Sequence, residues 1–270
     1  METTGITSHE MHKTKITELC LIAVKTTHLL ETRSGLIPRV EHKITMCFNP
    51  CKLIIPDCSK ETGLTNELLE HESSFNKKVF TILDSFISML EKPVCLIAHN
   101  GLKFDFPILK SVFNSLNVEL CEDLLCSDSL HFFYDTMEGQ KKEIPTYKVI
   151  QSDTIEIIDL VDSDDEDIQK INETTPKKLT LSENKLDYKR NSVPFKDRLN
   201  WFDNKPKESY RLKNIYRRLL KRSPREAHRA ENDCLMMLEC AVVLSKDFMT
   251  WVDENNLLFS LIKPMTAKGH

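Results

Sequence analysis

Apolar residues follow two kinds of pattern along this chain, short buried runs and helical stripes. Residues 16–24 and 94–98 are continuous apolar runs that predict strands covered on both faces. Residues 40–48 alternate apolar and polar side chains, which predicts a strand with one buried face. A further short strand is predicted at residues 124–126, ending at Asp128.

Helical spacing marks the segments between and after these strands. One helix is predicted to begin near Ser73 or Ser74, and another to start at Phe106-Pro107 and end near Leu116. Residues 212–219 form a helical stripe, residues 230–245 form a helix that is apolar nearly all round, and residues 248–258 form a last short helix. Strands interleaved with helices predict an α/β fold, a mixed sheet flanked by helices.

The segment from residue 135 to 206 lacks this periodicity and is rich in charge, with an acidic run at residues 162–167. A structureless stretch of this length is better interpreted as a disordered insertion than as a loop of a compact domain. We therefore expect a single domain made of residues 1–134 and 207–262, interrupted by the insertion 135–206 and followed by a tail at 263–270.

Composition limits the class of protein. The net charge is −4, so any contact with nucleic acid must come from a local basic patch. The nine cysteines form no CxxC pair, which indicates reduced thiols and no zinc site. No apolar segment is long enough to cross a bilayer, and no signal peptide is recognisable. We expect a soluble nuclear or cytoplasmic protein without membrane contact.

Three residues stand where catalytic chemistry is often found. Asp105 follows a buried strand, at the rim where α/β sheets hold ligands. Asp233 lies on an apolar helix, where a carboxylate is costly unless it is paired or bound to metal. His228 precedes Asp233 by five residues and is expected on a flexible approach to that helix, suited to a general base. The alternatives are a helix-capping Asp105 and a surface histidine in a charged loop.

Five motifs together resemble the three-prime repair exonucleases, DEDDh-class 3′→5′ exonucleases of the RNase H-like fold. They are ITELCLIAV at 16–24, ETGLT at 61–65, HNGLKFDFP at 99–107, SYRLKNIYRRLL at 209–220 and HRAEND at 228–233. The resemblance covers roughly residues 1–135 and 207–255. It implies hydrolysis of phosphodiester bonds at DNA 3′ ends with release of nucleoside monophosphates.

The resemblance also implies roles for individual residues. Glu2 and Asp233 would bind metal, Asp105 would complete the shell of a second ion, and His228 would be the general base. The cofactor would be two Mg²⁺ ions, with Mn²⁺ as a substitute. Glu2, His228 and Asp233 would also contact the bound substrate.

Four more residues are expected to contact the DNA. Thr3 and Phe104 would flank the terminal nucleotide, with Phe104 at a position where the family usually has Tyr. Lys103 would contact phosphate, and Leu64 would press on the terminal base. Glu61 replaces an apolar residue of the family's base wedge.

The first family motif differs in this chain. The family has an Asp two residues before the glutamate, at the end of the first, central strand, and here that glutamate is Glu2. We expect the sheet to have a gap beside strand 94–98, and we interpret the sequence as a fragment or an incomplete gene model. A protein with this start would bind metal poorly and show little nuclease activity.

The insertion contains one candidate partner motif. Ile157, Ile158, Asp159, Leu160 and Val161, followed by acidic residues, resemble a SUMO-interacting motif. Such a segment adds as a strand to the edge of a partner sheet. An incidental apolar patch in an acidic segment is the alternative.

The expected partners are DNA 3′ ends, single-stranded or frayed, in repair or in disposal of stray DNA. A homodimer is expected as in the family, with strand 40–48 as a self-pairing edge. Two rival functions stay open, namely an RNA-trimming exonuclease of the same class and a non-catalytic nucleic-acid binder that keeps the fold.

Overall fold

Six strands form two three-stranded sheets in the part of the chain that the structure describes. The computed structural model describes residues 1–5, 13–143, 209–226 and 228–265. The first sheet is antiparallel with the order β1–β2–β3, and these strands are Glu2–Thr3, Ile16–Ala23 and His42–Cys47. The second has the order β4–β5–β6, with strands Cys95–Ala98, Leu125–Asp128 and Leu257–Leu258. In this sheet β4 and β5 are parallel, and β6 is antiparallel to β5.

Helices pack against these sheets in two groups with separate apolar cores. The helices are α1 (Thr26–Glu31), α2 (Pro56–Thr62), α3 (Asn66–Leu69), α4 (Lys77–Ser88), α5 (Asp105–Leu116), α6 (Ser129–Glu143), α7 (Leu212–Leu220), α8 (Ala230–Val243) and α9 (Ser245–Glu254). A 3₁₀ turn, Phe259–Leu261, follows β6. One core joins α4 and α5 to both sheets through residues such as Leu83 and Phe113. The other joins α6, α7, α8 and α9 through residues such as Phe132, Ile215 and Met236.

The predicted α/β class is confirmed, and most long elements lie where the apolar pattern placed them. The N-terminus of α4 was predicted wrongly, because Asn76 and neither Ser73 nor Ser74 caps it. The Asn76 side chain accepts the backbone N–H groups of Lys78 and Val79. The short helices α1, α2 and α3 were not predicted, since fewer than two helical turns contain too few residues to show a period.

The sheets show the gap that was expected beside β4. Strand β1 pairs with β2 only at Glu2 and Thr3, which face Glu18 and Ile16. Among the described strands, β4 pairs with β5 alone. In the described residues, the second edge of β4 therefore has no strand paired with it.

Two expectations fall wholly or partly on residues that the structure does not describe. The candidate SUMO-interacting residues 157–161 lie outside the described ranges. The predicted insertion overlaps the described part only at its beginning, where α6 continues through Asp135 to Glu143. Among the described helices, none combines the length and apolar character needed to cross a bilayer.

Candidate active site

Asp105 is the first residue of α5 and follows a tight loop at the carboxyl end of β4. Asn100 adopts the left-handed backbone conformation in this loop, with φ +66°. Gly101 is needed for a different reason, because a Cβ there would lie 2.6 Å from Ala98 Cβ and 2.9 Å from Phe106 Cε2. The Phe106 N–H donates to the Gly101 carbonyl at 2.9 Å. This close packing fixes where α5, and with it Asp105, begins.

Asp128 at the end of β5 holds the same loop in place. Its carboxylate accepts the backbone N–H groups of Asn100 at 2.8 Å, Leu102 at 3.1 Å and Leu130 at 3.0 Å. The residue is buried, and burial raises the pKa of the carboxyl while the three N–H donors oppose that rise. From the sequence, Asp128 was predicted only to end a strand. An acidic residue closing a buried strand was the available signal that it anchors a loop.

Glu18, in the strand ITELCLIA, was also missed as part of the site. Its side chain is buried, and its Oε2 accepts the backbone N–H of Ala230 at 2.8 Å. Ala230 is the first residue of α8, so this bond attaches β2 to the start of the helix that carries Asp233. A glutamate within an otherwise apolar strand was the signal, but its partner lies 212 residues away along the chain.

His228 lies in a bend before α8, with a φ of +66°, as the spacing to Asp233 predicted. The Asp233 carboxylate accepts the backbone N–H of His228. Burial raises the pKa of Asp233, and the nearby Met1 ammonium and His228 lower it. The hydrogen bond between His228 and Asp233 is therefore made by the backbone of the histidine and not by its imidazole.

Glu2, Asp105 and Asp233 form one electrostatic cluster. The pKa of Glu2 rises to about 7, mainly because of burial, and the charges of Asp233, Glu18 and Asp105 add to the rise. Burial also raises the pKa of Asp105. The Met1 ammonium nitrogen lies 3.7 Å from Asp105 Oδ1 and opposes these shifts. Among the described residues, no Lys or Arg pairs with any of the three carboxylates.

The donor chemistry of this cluster suits a divalent cation, because Mg²⁺ prefers carboxylate oxygens and the three carboxylates lack a side-chain cation. The side chains are, however, not close enough together in the described residues to form a complete metal site. Within the ranges that the structure describes, no three His, Cys, Asp or Glu side chains are grouped closely enough to hold one ion. The cluster therefore offers suitable ligands in an open arrangement.

The candidate DNA contacts occupy different environments. Thr3 is buried, and its Oγ1 accepts the N–H of Gly5 at 3.3 Å. Phe104 is half-buried against the first core, directly before Asp105, whereas Lys103 is exposed. Leu64 is half-buried and follows Gly63, which ends α2 in the left-handed conformation. Phe104 and Lys103 adjoin Asp105 in sequence, and their loop brings them to the same edge of the sheet.

Comparison with known proteins gives one consistent set of relatives. Three-prime repair exonuclease 1 of Bos taurus is 26% identical over 277 residues, and the human protein of that name is 28% identical over 276 residues. Both matches cover 98% of this chain and 68% of the relative. Three prime repair exonuclease 2 of Mus musculus is 35% identical over 137 residues. No family model matches the chain.

The chain is a relative of the three-prime repair exonucleases. It spans 57% of the length of the mouse exonuclease 2 that it matches. The resemblance seen in the five sequence motifs is thus confirmed by relatives that match along almost the whole chain. The names of these relatives refer to 3′ ends and to repair.

Proposed function

We propose that this chain is a metal-dependent 3′→5′ exonuclease that removes nucleoside monophosphates from DNA 3′ ends, single-stranded or frayed. The observation that carries the proposal is the cluster of Glu2, Asp105 and Asp233 beside His228. The three carboxylates are largely buried and have no Lys or Arg partner among the described residues. The Met1 ammonium, 3.7 Å from Asp105 Oδ1, is one positive charge beside three buried carboxylates. Buried negative charge that is not fully compensated is costly, and a bound cation reduces that cost. Kinship with the three-prime repair exonucleases supports the reaction type.

In this proposal Glu2 and Asp233 would hold Mg²⁺, and Asp105 would complete the shell of a second ion. Mn²⁺ is the expected substitute. Bound Mg²⁺ supplies positive charge that activates water and stabilises the attacking and leaving oxygens. The raised pKa of Glu2, about 7, means that metal and protons compete for this carboxylate near neutral pH.

His228 is the proposed general base. A ring nitrogen of the imidazole accepts a proton from the attacking water, and the negative charge of Asp233 stabilises the imidazolium that results. The histidine sits in a bend outside α8, so its side chain is not fixed by helical geometry. It can therefore pass the proton to solvent after each turnover.

The remaining proposed contacts orient the DNA. Lys103 is exposed and reaches phosphate, while Phe104 and Thr3 flank the terminal nucleotide and Leu64 contacts its base. A homodimer is proposed through β3, which lies at the edge of the first sheet and leaves one side without a described partner. Sedimentation of the full chain measures that assembly directly.

Stepwise shortening of a 5′-labelled single-stranded oligonucleotide from its 3′ end, in the presence of Mg²⁺, tests the function. Asp233→Asn and His228→Gln should each lower the rate by about 100-fold or more, as for loss of a metal ligand or a general base. Asp247→Asn, at an exposed position of α9, is the matched control and should keep the rate. Activity that survives in Asp233→Asn contradicts the assigned site.

One observation favours a second function, a nucleic-acid binder without catalysis. The described residues contain no three-ligand group for a metal ion. If the chain binds DNA but releases no nucleotide with either Mg²⁺ or Mn²⁺, this second function replaces the first. If it degrades RNA faster than DNA of the same sequence, the RNA-trimming alternative is correct.

A further inference from the structure

The segment from Arg211 to Arg229 is strongly basic in a chain whose net charge is −4. It contains eight Lys and Arg residues and one acidic residue, Glu226. The basic residues are Arg211, Lys213, Arg217, Arg218, Lys221, Arg222, Arg225 and Arg229. This segment comprises α7 and the bend that leads into α8, and it includes the candidate general base His228. A local excess of this size is the electrostatic footprint of a polyanion partner.

The basic residues of α7 lie outside its buried apolar side, with Arg217 exposed and Lys213 and Arg218 half-buried. Ile215 and Tyr216 are buried in the second core, and the other apolar residues of α7 pack against the same core. Lys213 and Arg217 are four residues apart, so their Cβ atoms lie about 6 Å from each other on the side of the helix away from Ile215 and Tyr216. Lys221 and Arg222 directly follow the helix, and we call the set Lys213, Arg217, Lys221 and Arg222 the basic face of α7.

The charges of the basic face are not neutralised by carboxylates in the described part of the chain. Arg217 Nη1 donates to Asn214 Oδ1 at 3.3 Å, and Arg222 Nη1 donates to the Gly35 carbonyl at 3.0 Å. In the same segment, the Arg225 guanidinium is paired at 2.7 Å with Glu239 and is therefore left out of the set. The four cations of the basic face therefore keep their charge available to a ligand.

A depression of about 380 Å³ lies at the N-terminal end of α7. It is lined by Ser209, Asn214, Arg217 and Arg218. The Arg218 guanidinium carbon is held 4.7 Å from the centre of the Tyr210 ring, and its Nη2 donates to the Ser209 carbonyl at 2.9 Å. Among the described residues, the lining combines hydroxyl, amide and guanidinium donors and includes no carboxylate. Such a donor set binds phosphate well, because guanidinium groups bind phosphate oxygens in pairs.

We propose that the basic face of α7 binds the phosphate backbone of the nucleic-acid strand whose 3′ end enters the candidate active site. The depression at Ser209 receives one of its phosphates. This inference rests on the proposed function, since it assigns the basic face to the same substrate. A nucleic acid fits better than an acidic protein, because α7 exposes no large apolar residue of the kind that forms the centre of a protein interface.

The binding test uses the full chain, a fluorescein-labelled single-stranded oligonucleotide, and EDTA to prevent hydrolysis. The double variant Lys213→Ala/Arg217→Ala should bind about 20-fold more weakly near 0.1 M salt, and the slope of log K against log salt should fall by about 1.4, as expected for two lost phosphate contacts. The matched control Lys77→Ala/Lys78→Ala removes two exposed cations from α4 and should bind as the unchanged chain does. Melting curves of both variants report whether folding is intact.

Three further results decide the inference. Restoring charge with Lys213→Arg/Arg217→Lys should recover most of the affinity and the salt slope. Equal binding by the double variant and the control overturns the proposal. Stronger competition by poly-glutamate than by single-stranded DNA of the same charge also overturns it, in favour of an acidic protein partner.

A small substrate separates failure of this inference from failure of the proposed function. The p-nitrophenyl ester of thymidine 5′-monophosphate carries one phosphate and reports only on the active site. If the unchanged chain does not hydrolyse the ester but shows the expected salt-dependent binding, the proposed catalysis fails and the binding surface stands. If it hydrolyses the ester while the double variant binds DNA normally, the catalysis stands and the surface is rejected.

Discussion

His99 Nε2 lies 2.8 Å from the carbonyl oxygen of Tyr210, and His99 Nδ1 lies 3.1 Å from Ser129 Oγ. Because a carbonyl can only accept, Nε2 donates to Tyr210 and Nδ1 accepts from the Ser129 hydroxyl. The histidine directly follows β4, whereas Tyr210 precedes α7. One buried imidazole thus joins the loop before Asp105 to the start of the basic segment.

Acid should weaken the fold through His99. Burial lowers the pKa of this imidazole below its ordinary value near 6.5, while the Tyr210 carbonyl and Asp128 oppose the shift and His131 adds to it. Below about pH 6.5 the unfolded chain therefore binds more protons than the folded one, and the free energy of unfolding falls as pH decreases. Urea unfolding between about pH 7.5 and pH 5.5 should show this loss.

A variant without a titrating group isolates the contribution of His99. In His99→Gln the side-chain amide still donates a hydrogen bond, so the loss between these pH values should be smaller than in the unchanged chain. His71→Gln, at an exposed position, is the control and should leave the pH dependence as it was. An identical pH dependence in His99→Gln would show that other groups cause the acid sensitivity.

Removing the Glu18 carboxylate should loosen the start of α8. Glu18→Ala leaves the buried N–H of Ala230 without its acceptor, at a cost of about 1–3 kcal/mol in the free energy of unfolding. Glu18→Gln keeps an acceptor oxygen and should lose less. Denaturant unfolding gives the stabilities, and hydrogen exchange of the Ala230 amide gives the local effect. An Ala230 amide that stays protected in Glu18→Ala contradicts the role.

Asp128→Ala should be more damaging, because three backbone N–H groups lose one shared acceptor. We expect a loss of about 3 kcal/mol or more in the free energy of unfolding. Asp123→Ala, which removes an exposed carboxylate paired with Lys92 near the start of β5, is the matched control and should cost far less, because an exposed ion pair contributes little to stability. Similar melting temperatures for the two variants would refute an anchoring role for Asp128.

Gly101→Ala should destabilise the loop before Asp105 through a clash. The new methyl group would lie 2.6 Å from Ala98 Cβ, and the shift needed to relieve it costs about 1–3 kcal/mol. Gly63→Ala tests backbone strain alone, since Gly63 has a φ of +73° and no neighbouring atom within 4 Å. In thermal unfolding, Gly101→Ala should lower the melting temperature even though Gly101 lacks a positive φ.

Metal dependence should appear in stability as well as in catalysis. Because the pKa of Asp233 is raised in the folded state, ionisation of this carboxylate lowers the free energy of unfolding. This destabilisation is absent below the ordinary pKa near 3.8 and grows as pH rises through the raised pKa. In EDTA at neutral pH, Asp233→Asn should therefore raise the melting temperature.

With added Mg²⁺, the unchanged chain should have a higher melting temperature than Asp233→Asn, the reverse of the order in EDTA. A ligand that binds only the folded state stabilises it, so excess Mg²⁺ should raise the melting temperature of the unchanged chain and leave Asp233→Asn almost unaffected. Asp247→Asn should respond to Mg²⁺ as the unchanged chain does. Equal Mg²⁺ shifts in all three proteins would exclude Asp233 as a ligand.

The sequence alone determined the elements whose signal is local. The apolar run of β2, the alternation of β3, the helical stripes of α4 and α7 and the nearly all-apolar sequence of α8 each lie within one segment, so burial of that segment dictates its structure. The five motifs likewise indicated the family, which relatives along the chain confirm. The placement of His228 before the helix of Asp233 followed from the same local spacing.

Only the tertiary structure decided which distant groups meet. The pairs Glu18 with Ala230 and His99 with Tyr210 join residues more than one hundred positions apart, and no local period encodes such contacts. The roles of Asp128 and Glu18, and the division of the strands into two sheets, therefore could not be predicted from the pattern. Hydrophobic periodicity reports burial of a segment, whereas the partner of a buried polar group is chosen by how the whole chain packs.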